Sequence, residues 1–190
     1  MALKLQTIIC STRPGRIGPH VAKWFHEFAT QNTAFETKLV DLADFNLPIL
    51  DEPNHPRLQK YQHDHTKRWS KSVAEADAYV FVTPEYDYCP PAALVNALQF
   101  LSVEWADKAA GFVSYGGISG GLRAVQMTKQ ILGALKMMPI AESVPVPIVG
   151  QFLTEAKKFA PSDPVIAGTR LMLEELERWA TALSTMRHDV

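Results

Sequence analysis

Apolar residues recur along this chain in two rhythms that take turns. Leu3 to Cys10 is apolar apart from Lys4, Gln6 and Thr7, and Ala78 to Thr83 is apolar almost throughout, so both predict buried strands of a parallel sheet. Phe35 to Leu42 alternates, with Phe35, Thr37, Leu39 and Asp41 on one side and Glu36, Lys38, Val40 and Leu42 on the other, and predicts a half-exposed edge strand. Ala109 to Tyr115 predicts a further strand and Pro139 to Val149 a last one, with Pro145 and Pro147 placed at its far end because they donate no backbone hydrogen bond. Between these runs the period changes to that of a helix. Val21, Phe25 and Phe28 share a face of a helix from Val21 to Ala29. Leu58 to Ala76 is polar but helix-compatible, with Tyr61, Trp69 and Val73 as sparse apolar positions. Ala92 to Trp105 and Leu122 to Met137 predict two more helices, the second turning Val125, Ile131, Leu132 and Leu135 to a core. Asp163 to Met186 predicts the final helix, with Leu171, Leu173, Leu176, Trp179 and Leu183 as its stripe. Asp44 to Pro56, with three prolines and two asparagines, predicts a loop.

Strand and helix alternate five times, which calls for an α/β fold, a doubly wound three-layer sandwich around a parallel sheet. A chain of 190 residues, 47% of them hydrophobic, supports one domain over 1–190. In such folds ligands sit beyond the carboxyl ends of the strands. Three irregular loops are predicted there: Cys10 to Gly18, Pro84 to Pro91 and Gly116 to Gly121. The first supplies hydroxyls, two arginines and two glycines ahead of a helix N-terminus, a combination suited to phosphate. It lacks the lysine of a Walker loop and the glycine spacing of a dinucleotide fingerprint.

A formal net charge of −1 argues against non-specific nucleic-acid binding. No apolar run reaches the length that spans a bilayer and no signal peptide is visible, so a cytoplasmic protein without membrane insertion is expected. Cys10 and Cys89 form no metal spacing with each other or with the six histidines, and a structural disulfide is not expected in a reducing compartment. His63, Asp64 and His65 point in different directions on a helix, which predicts a solvated face and no metal site.

Three stretches resemble the NADPH-dependent FMN reductase family of flavodoxin-like proteins. They are Ser11-Thr12-Arg13-Pro14-Gly15-Arg16-Ile17-Gly18; Pro84-Glu85-Tyr86-Asp87-Tyr88 with Ala93 to Ser102; and Gly116-Gly117 through Gly120-Gly121-Leu122-Arg123-Ala124-Val125-Gln126. The resemblance spans residues from about 4 to about 150 and implies a five-stranded sheet of order 2-1-3-4-5, bound FMN, and NADPH or NADH as reductant. It implies Ser11, Arg13, Arg16, Ile17 and Gly18 around the phosphate. Pro84, Glu85, Tyr86 and Asp87 would border one edge of the isoalloxazine, and Ser114, Tyr115, Gly116 and Gly117 the other. No protein nucleophile is implied; the chemistry is the flavin's, and Glu85 and Arg123 are expected in anchoring or ion-pair roles. The activity implied is ping-pong hydride transfer to quinones, flavins, azo compounds or metal oxyanions, in a homodimer or tetramer. An electron-transfer protein of the flavodoxin kind, or a sensor or assembly module with a weakened site, are the other readings. Cys10, Asp87 and Cys89 stand where the family usually has glycine, asparagine and serine. An ionised Asp87 at the ring would make the flavin harder to reduce.

Overall fold

The computed structural model describes residues 2–187. Its five strands, β1 (Lys4–Ile9), β2 (Glu36–Asp41), β3 (Ala78–Pro84), β4 (Ala109–Tyr115) and β5 (Met138–Val146), pair in parallel in the order β2-β1-β3-β4-β5. This is the 2-1-3-4-5 order that the family resemblance implies. The direction of winding reverses between β1 and β3, and the crevice at that point opens at the carboxyl rim.

Each face of the sheet has its own apolar layer. Helices α1 (Gly18–Asn32) and α5 (Asp163–Ser184) bury Val21, Phe25, Met172, Leu173 and Leu176 against Leu5, Val80 and Val113. On the opposite face, α2 (Asp64–Ala74), α3 (Ala92–Gln99) and α4 (Leu122–Ala134) pack Trp69, Leu94, Leu98 and Leu132 on Ile8, Phe81 and Phe112. Strand alternation sorts these sets: along β3, Ala78, Val80 and Val82 face α1 and α5, whereas Tyr79 and Phe81 face an aromatic cluster with Trp69 and Trp105. Each fully buried large side chain contributes about 1.5–3 kcal/mol.

Two boundaries and one face differ from those predicted. The Leu58 to Ala76 helix begins only at Asp64, because Glu52 takes the backbone N–H groups of Gln62 and His63 at 2.8 and 3.0 Å and holds that segment outside the helix. The Ala92 to Trp105 helix stops at Gln99; the Ser102 N–H turns to the carboxylate of Glu104 at 3.3 Å, and a short 3-10 turn carries on to Trp105. Leu171 lies outside the buried stripe of α5 and is exposed, its place taken by Met172.

His63 and His65 do meet another element. Their rings stack at 5.2 Å beside Asp51, which lies 2.9 Å from His65 Nε2, but among the described residues no group of three potential ligands could hold a metal.

Both edge strands pair on one side only. In β5 the Met138 N–H bonds the Lys108 carbonyl and the Val146 carbonyl accepts from Gly116, so residues of that parity face β4. Pro139 and Pro145 have the opposite parity and point their nitrogens outward, where no ladder bond is lost.

Candidate functional site

The first loop leaves β1 with its ladder intact, since the Cys10 N–H still reaches the Val82 carbonyl at 3.1 Å. Ser11 is buried and its Oγ accepts the Tyr115 hydroxyl at 3.3 Å, which ties the loop to the end of β4. Burial raises the pKa of the Tyr115 phenol and keeps it a neutral donor. Thr12, Arg13, Pro14 and Gly15 then stand out in solvent, and Gly15 turns the chain at φ +70°. Helix α1 begins without a side-chain cap and without an acid in its first turn, so the positive end of its dipole is left uncompensated at the rim. Gly18 makes this approach possible: a Cβ there would lie 2.4 Å from Ser11 Oγ and 2.6 Å from the Tyr115 hydroxyl.

The two arginines of the loop have different surroundings. Arg13 is exposed, and among the described residues its guanidinium makes only one hydrogen bond, a long one of 3.4 Å to the adjacent Pro14 carbonyl. Arg16 is engaged on both prongs, at 2.8 and 2.6 Å from the carboxylate of Asp41, and also donates to the Ser11 carbonyl. Arg16, expected with Arg13 around a phosphate, has its fork on the carboxylate at the end of β2 in this structure. The register explains why, since Asp41 pairs with Ile9 and its carboxylate lies beside the start of the loop. Asp41 gave no signal in its own stretch of sequence; only the strand order brings it here.

The second loop is a tight hairpin. Tyr86 and Cys89 exchange backbone hydrogen bonds at 3.0 and 2.8 Å, with Asp87 (φ 49°) and Tyr88 (φ 70°) as the two central residues. Two left-handed residues in succession define the mirror-image turn that usually takes Asn-Gly. Aspartate tolerates the first position about as asparagine does, so the departure at Asp87 leaves the backbone intact. A tyrosine at the second position is strained. What holds it is the Arg123 guanidinium, 4.1 Å from the centre of the Tyr88 ring.

Arg123 is held in turn by Glu85. The Glu85 carboxylate accepts the Ser119 hydroxyl at 2.8 Å, the Arg123 N–H at 3.1 Å and the Arg123 guanidinium at 2.9 Å. Burial acts to raise its pKa, but the hydrogen bonds from Ser119 and Arg123 and from the backbone of Arg123 and Ala124 outweigh it and hold the carboxyl below its ordinary value. Helix α4 starts at Gly121 with no side-chain cap of its own. Glu85 supplies that cap from the neighbouring loop, and so joins the second loop to the third.

The remaining expected residues divide between main chain and side chain. Pro84 ends β3 and is buried; Tyr86 is half-buried; Asp87 and Gly117 are exposed; Ile17 and Gly116 are partly so. The Ser114 side chain is buried and donates to the Gly120 carbonyl at 2.8 Å, and the Tyr115 ring lies beneath the first loop. Both hydroxyls are thus engaged in folding the loops together at the edge where these residues are expected to border the ring. Beside Thr12 a cavity of about 300 Å³ opens toward Asn96. Asn96 donates to the Pro48 carbonyl and accepts the Leu50 N–H, pinning the long loop after β2.

Loops from β1, β3 and β4 thus converge at the switch point of a doubly wound α/β fold. The sequence profile of the NADPH-dependent FMN reductase family matches residues 3–151, and the chain belongs to that family of oxidoreductases. It is 42% identical over 144 residues to an NAD(P)H-dependent FMN reductase of Schizosaccharomyces pombe, covering 75% of this chain and 71% of that one. Over 64 residues it is 44% identical to an NAD(P)H:quinone oxidoreductase of Solanum tuberosum, a match to 32% of this chain and 33% of that protein. The solved structure of a flavoenzyme NAD(P)H:(acceptor) oxidoreductase from Paracoccus denitrificans shares the fold, with a TM-score of 0.75 at 15% identity over 95% of this chain and 98% of that one. FMN and NAD(P)H are the cofactors of the family.

Proposed function

We propose that the chain is an FMN-dependent NAD(P)H oxidoreductase whose one domain, 1–190, holds one FMN at the three loops. The observation that carries this reading is the first loop: an uncapped helix N-terminus, packed to contact through Gly18, with the exposed cation of Arg13 beside it. These groups fit a dianionic phosphate. Arg13 supplies the charge, and the backbone N–H groups of the loop through Ile17 and Gly18 supply donors. Arg16 is a positioning residue that fastens the loop to Asp41. The main chain of Pro84 to Asp87 and of Ser114 to Gly117 borders the flat ring, and the Glu85 bridge sets the spacing of those two edges. The chemistry FMN supplies when bound is hydride acceptance from NADPH or NADH and delivery to an acceptor, in a ping-pong sequence. Quinones are the acceptor class that the Solanum relative's name supports; flavins and azo compounds belong to the same reading. The reading calls on no protein nucleophile, since the flavin supplies the chemistry.

Spectroscopic titration of the apoprotein tests the loop. FMN should bind more tightly than riboflavin, and Arg13→Ala should weaken FMN by at least about tenfold, the equivalent of losing one charge-assisted hydrogen bond. Riboflavin binding should hardly change. Equal affinity for FMN and riboflavin would refute phosphate recognition.

We propose further that the chain acts as a homodimer or tetramer in the cytoplasm. The apolar residues of α3 are absorbed by the chain's own core, Leu94, Ala97 and Leu98 all being buried. The support comes instead from exposed apolar groups at the rim, Tyr88, Ile118 and Leu122, next to the site that a second copy would complete. Light scattering on a sizing column should give a multiple of 21.2 kDa; a mass at the single-chain value would overturn it. Both cysteines are unpaired, as a reducing compartment leaves them. Among the described residues no helix is long and apolar enough to cross a membrane.

A further inference from the structure

A second concave site lies beside the first, outside the three loops. Helix α1 carries His20, Lys23, Trp24 and Glu27 at the spacing of one face, and this face forms one wall of a cavity of about 240 Å³. The opposite wall is the short hairpin after β5, in which Leu153 and Phe159 pair. Its tip presents Lys157 and Lys158. None of the residues from Ser11 to Gly18 lines this cavity, yet His20 stands in the first turn of the helix that the phosphate loop feeds.

The site is rigid, and its charge is one-sided. The Thr154 N–H donates to the Lys158 carbonyl at 2.9 Å, the Lys157 N–H to the Thr154 carbonyl at 2.8 Å, and the Lys158 N–H to Thr154 Oγ1 at 3.1 Å. Lys157 itself is left-handed at φ 57°. The buried ring of Phe159 meets Trp24 edge-on at 5.4 Å, which seats the hairpin against α1. Three lysines and a histidine line the cavity against one acid, Glu27. Among the described residues none of Lys23, Lys157 or Lys158 lies within 4 Å of a carboxylate. Six other cations, Arg16, Lys38, Lys67, Arg123, Arg178 and Arg187, are ion-paired among the described residues; what sets these three lysines apart is that they line one cavity. Converging unpaired ammonium groups beside an indole are the chemistry that recognises a phosphorylated adenosine: the base lies on the aromatic surface and the phosphate takes the lysines.

The geometry points to this cavity as the seat of the 2′-phosphoadenosine end of NADPH, which makes it the element that selects NADPH over NADH. The inference rests on the reductase reading above, because only a dinucleotide reductant would have one end at the rim and the other here. Lys157 and Lys158 supply the charge for the 2′-phosphate and Lys23 reinforces it from the helix. NADH has no group for these lysines to hold.

The test separates this from the reductase reading by using the apoprotein first. Adenosine 2′,5′-bisphosphate and 5′-AMP are titrated while the indole N–H resonance of Trp24, assigned by its loss in Trp24→Phe, is followed by NMR. The bisphosphate should shift that resonance and bind at least about tenfold more tightly than 5′-AMP, and the difference should shrink with added salt. In the double variant Lys157→Ala/Lys158→Ala, with its far-ultraviolet circular dichroism unchanged, the preference should collapse. In the flavin-loaded protein the same variant should lower the ratio of kcat/KM for NADPH to that for NADH by about tenfold. Equal binding of the two nucleotides, no movement of the Trp24 signal, or an unchanged NADPH to NADH ratio in the variant would each overturn the inference while leaving FMN binding and turnover as they are. Failure to bind FMN or to oxidise either dinucleotide would instead strike the reductase reading.

Discussion

Removing the Glu85 carboxylate should loosen two loops at once. Its side chain is 8% exposed whereas its partner Arg123 is 52% exposed, so the pair is buried on one side only. A hydrogen bond to a charged group contributes about 1.5–3 kcal/mol, and a half-exposed ion pair nearer 0.5–1 kcal/mol. Glu85 accepts one bond from Ser119 and one from the Arg123 N–H at the start of α4, besides the ion pair. Allowing for water that replaces part of what is lost, Glu85→Ala should cost about 2–3 kcal/mol, and Glu85→Gln, which still accepts hydrogen bonds, about half of that. For a chain of this size the alanine variant should melt roughly 5–10 °C lower. The pH dependence carries the sign of the argument. The folded carboxyl has a depressed pKa, so its stabilisation is fully present above the ordinary carboxyl value of about 4.3 and is lost as pH falls through the folded value. Urea unfolding of wild type and Glu85→Gln between pH 3 and 8 should show a gap that is constant above about pH 5 and closes toward pH 3. Curves that coincide at pH 7, or a gap that persists unchanged at pH 3, would refute the capping role.

Two other outcomes follow from packing and burial. Gly18→Ala forces a methyl into contact with Ser11 Oγ and the Tyr115 hydroxyl, which should cost about 1–3 kcal/mol and weaken FMN along with stability; thermal melts and flavin titrations indistinguishable from wild type would show that the loop gives way freely. Lys108 is buried beneath the sheet, donating to the Val73 and Ala74 carbonyls and the Tyr79 hydroxyl, and burial, followed by the charge of Arg187, lowers its pKa to about 8. The unfolded chain therefore holds that proton more tightly, and stability should rise by up to about 3 kcal/mol from pH 8 to 10.5 on this account. In Lys108→Met the rise should be absent, and parallel denaturation profiles for the two proteins would contradict it.

Much of the architecture was legible because buried parallel strands are predominantly apolar, as β3 and β4 are in a few residues each and β1 is despite Lys4, Gln6 and Thr7. The three loops were legible as a group, since the winding rule puts every loop of that kind on one rim. Contacts between segments distant in the chain were not. Nothing near Arg13 and Arg16 tells them apart; Asp41, at the end of another strand, does so through register alone. Glu52 and Glu104 likewise divert backbone N–H groups and shorten helices whose local propensity was adequate. The loop-fastening hydroxyls of Ser114 and Tyr115 escaped for a related reason: periodicity places a residue on a face but does not say whether its hydroxyl is already engaged. The cationic cavity shares its origin with these, for its lysines come from α1 and from a hairpin more than a hundred residues later.

The outward prolines of β5 reach beyond the single chain. An unpaired strand edge is a template on which another copy can build, and a parallel sheet of this kind has two such margins. At β5 the missing donors at Pro139 and Pro145 interrupt the row of hydrogen bonds that an incoming strand would need. The β2 margin is short, and Glu36 and Lys38 lie on it. Copies of this protein are thereby denied the route of merging their sheets into one continuous ribbon, the geometry that leads toward fibres. An assembly built through helices and loops avoids that route.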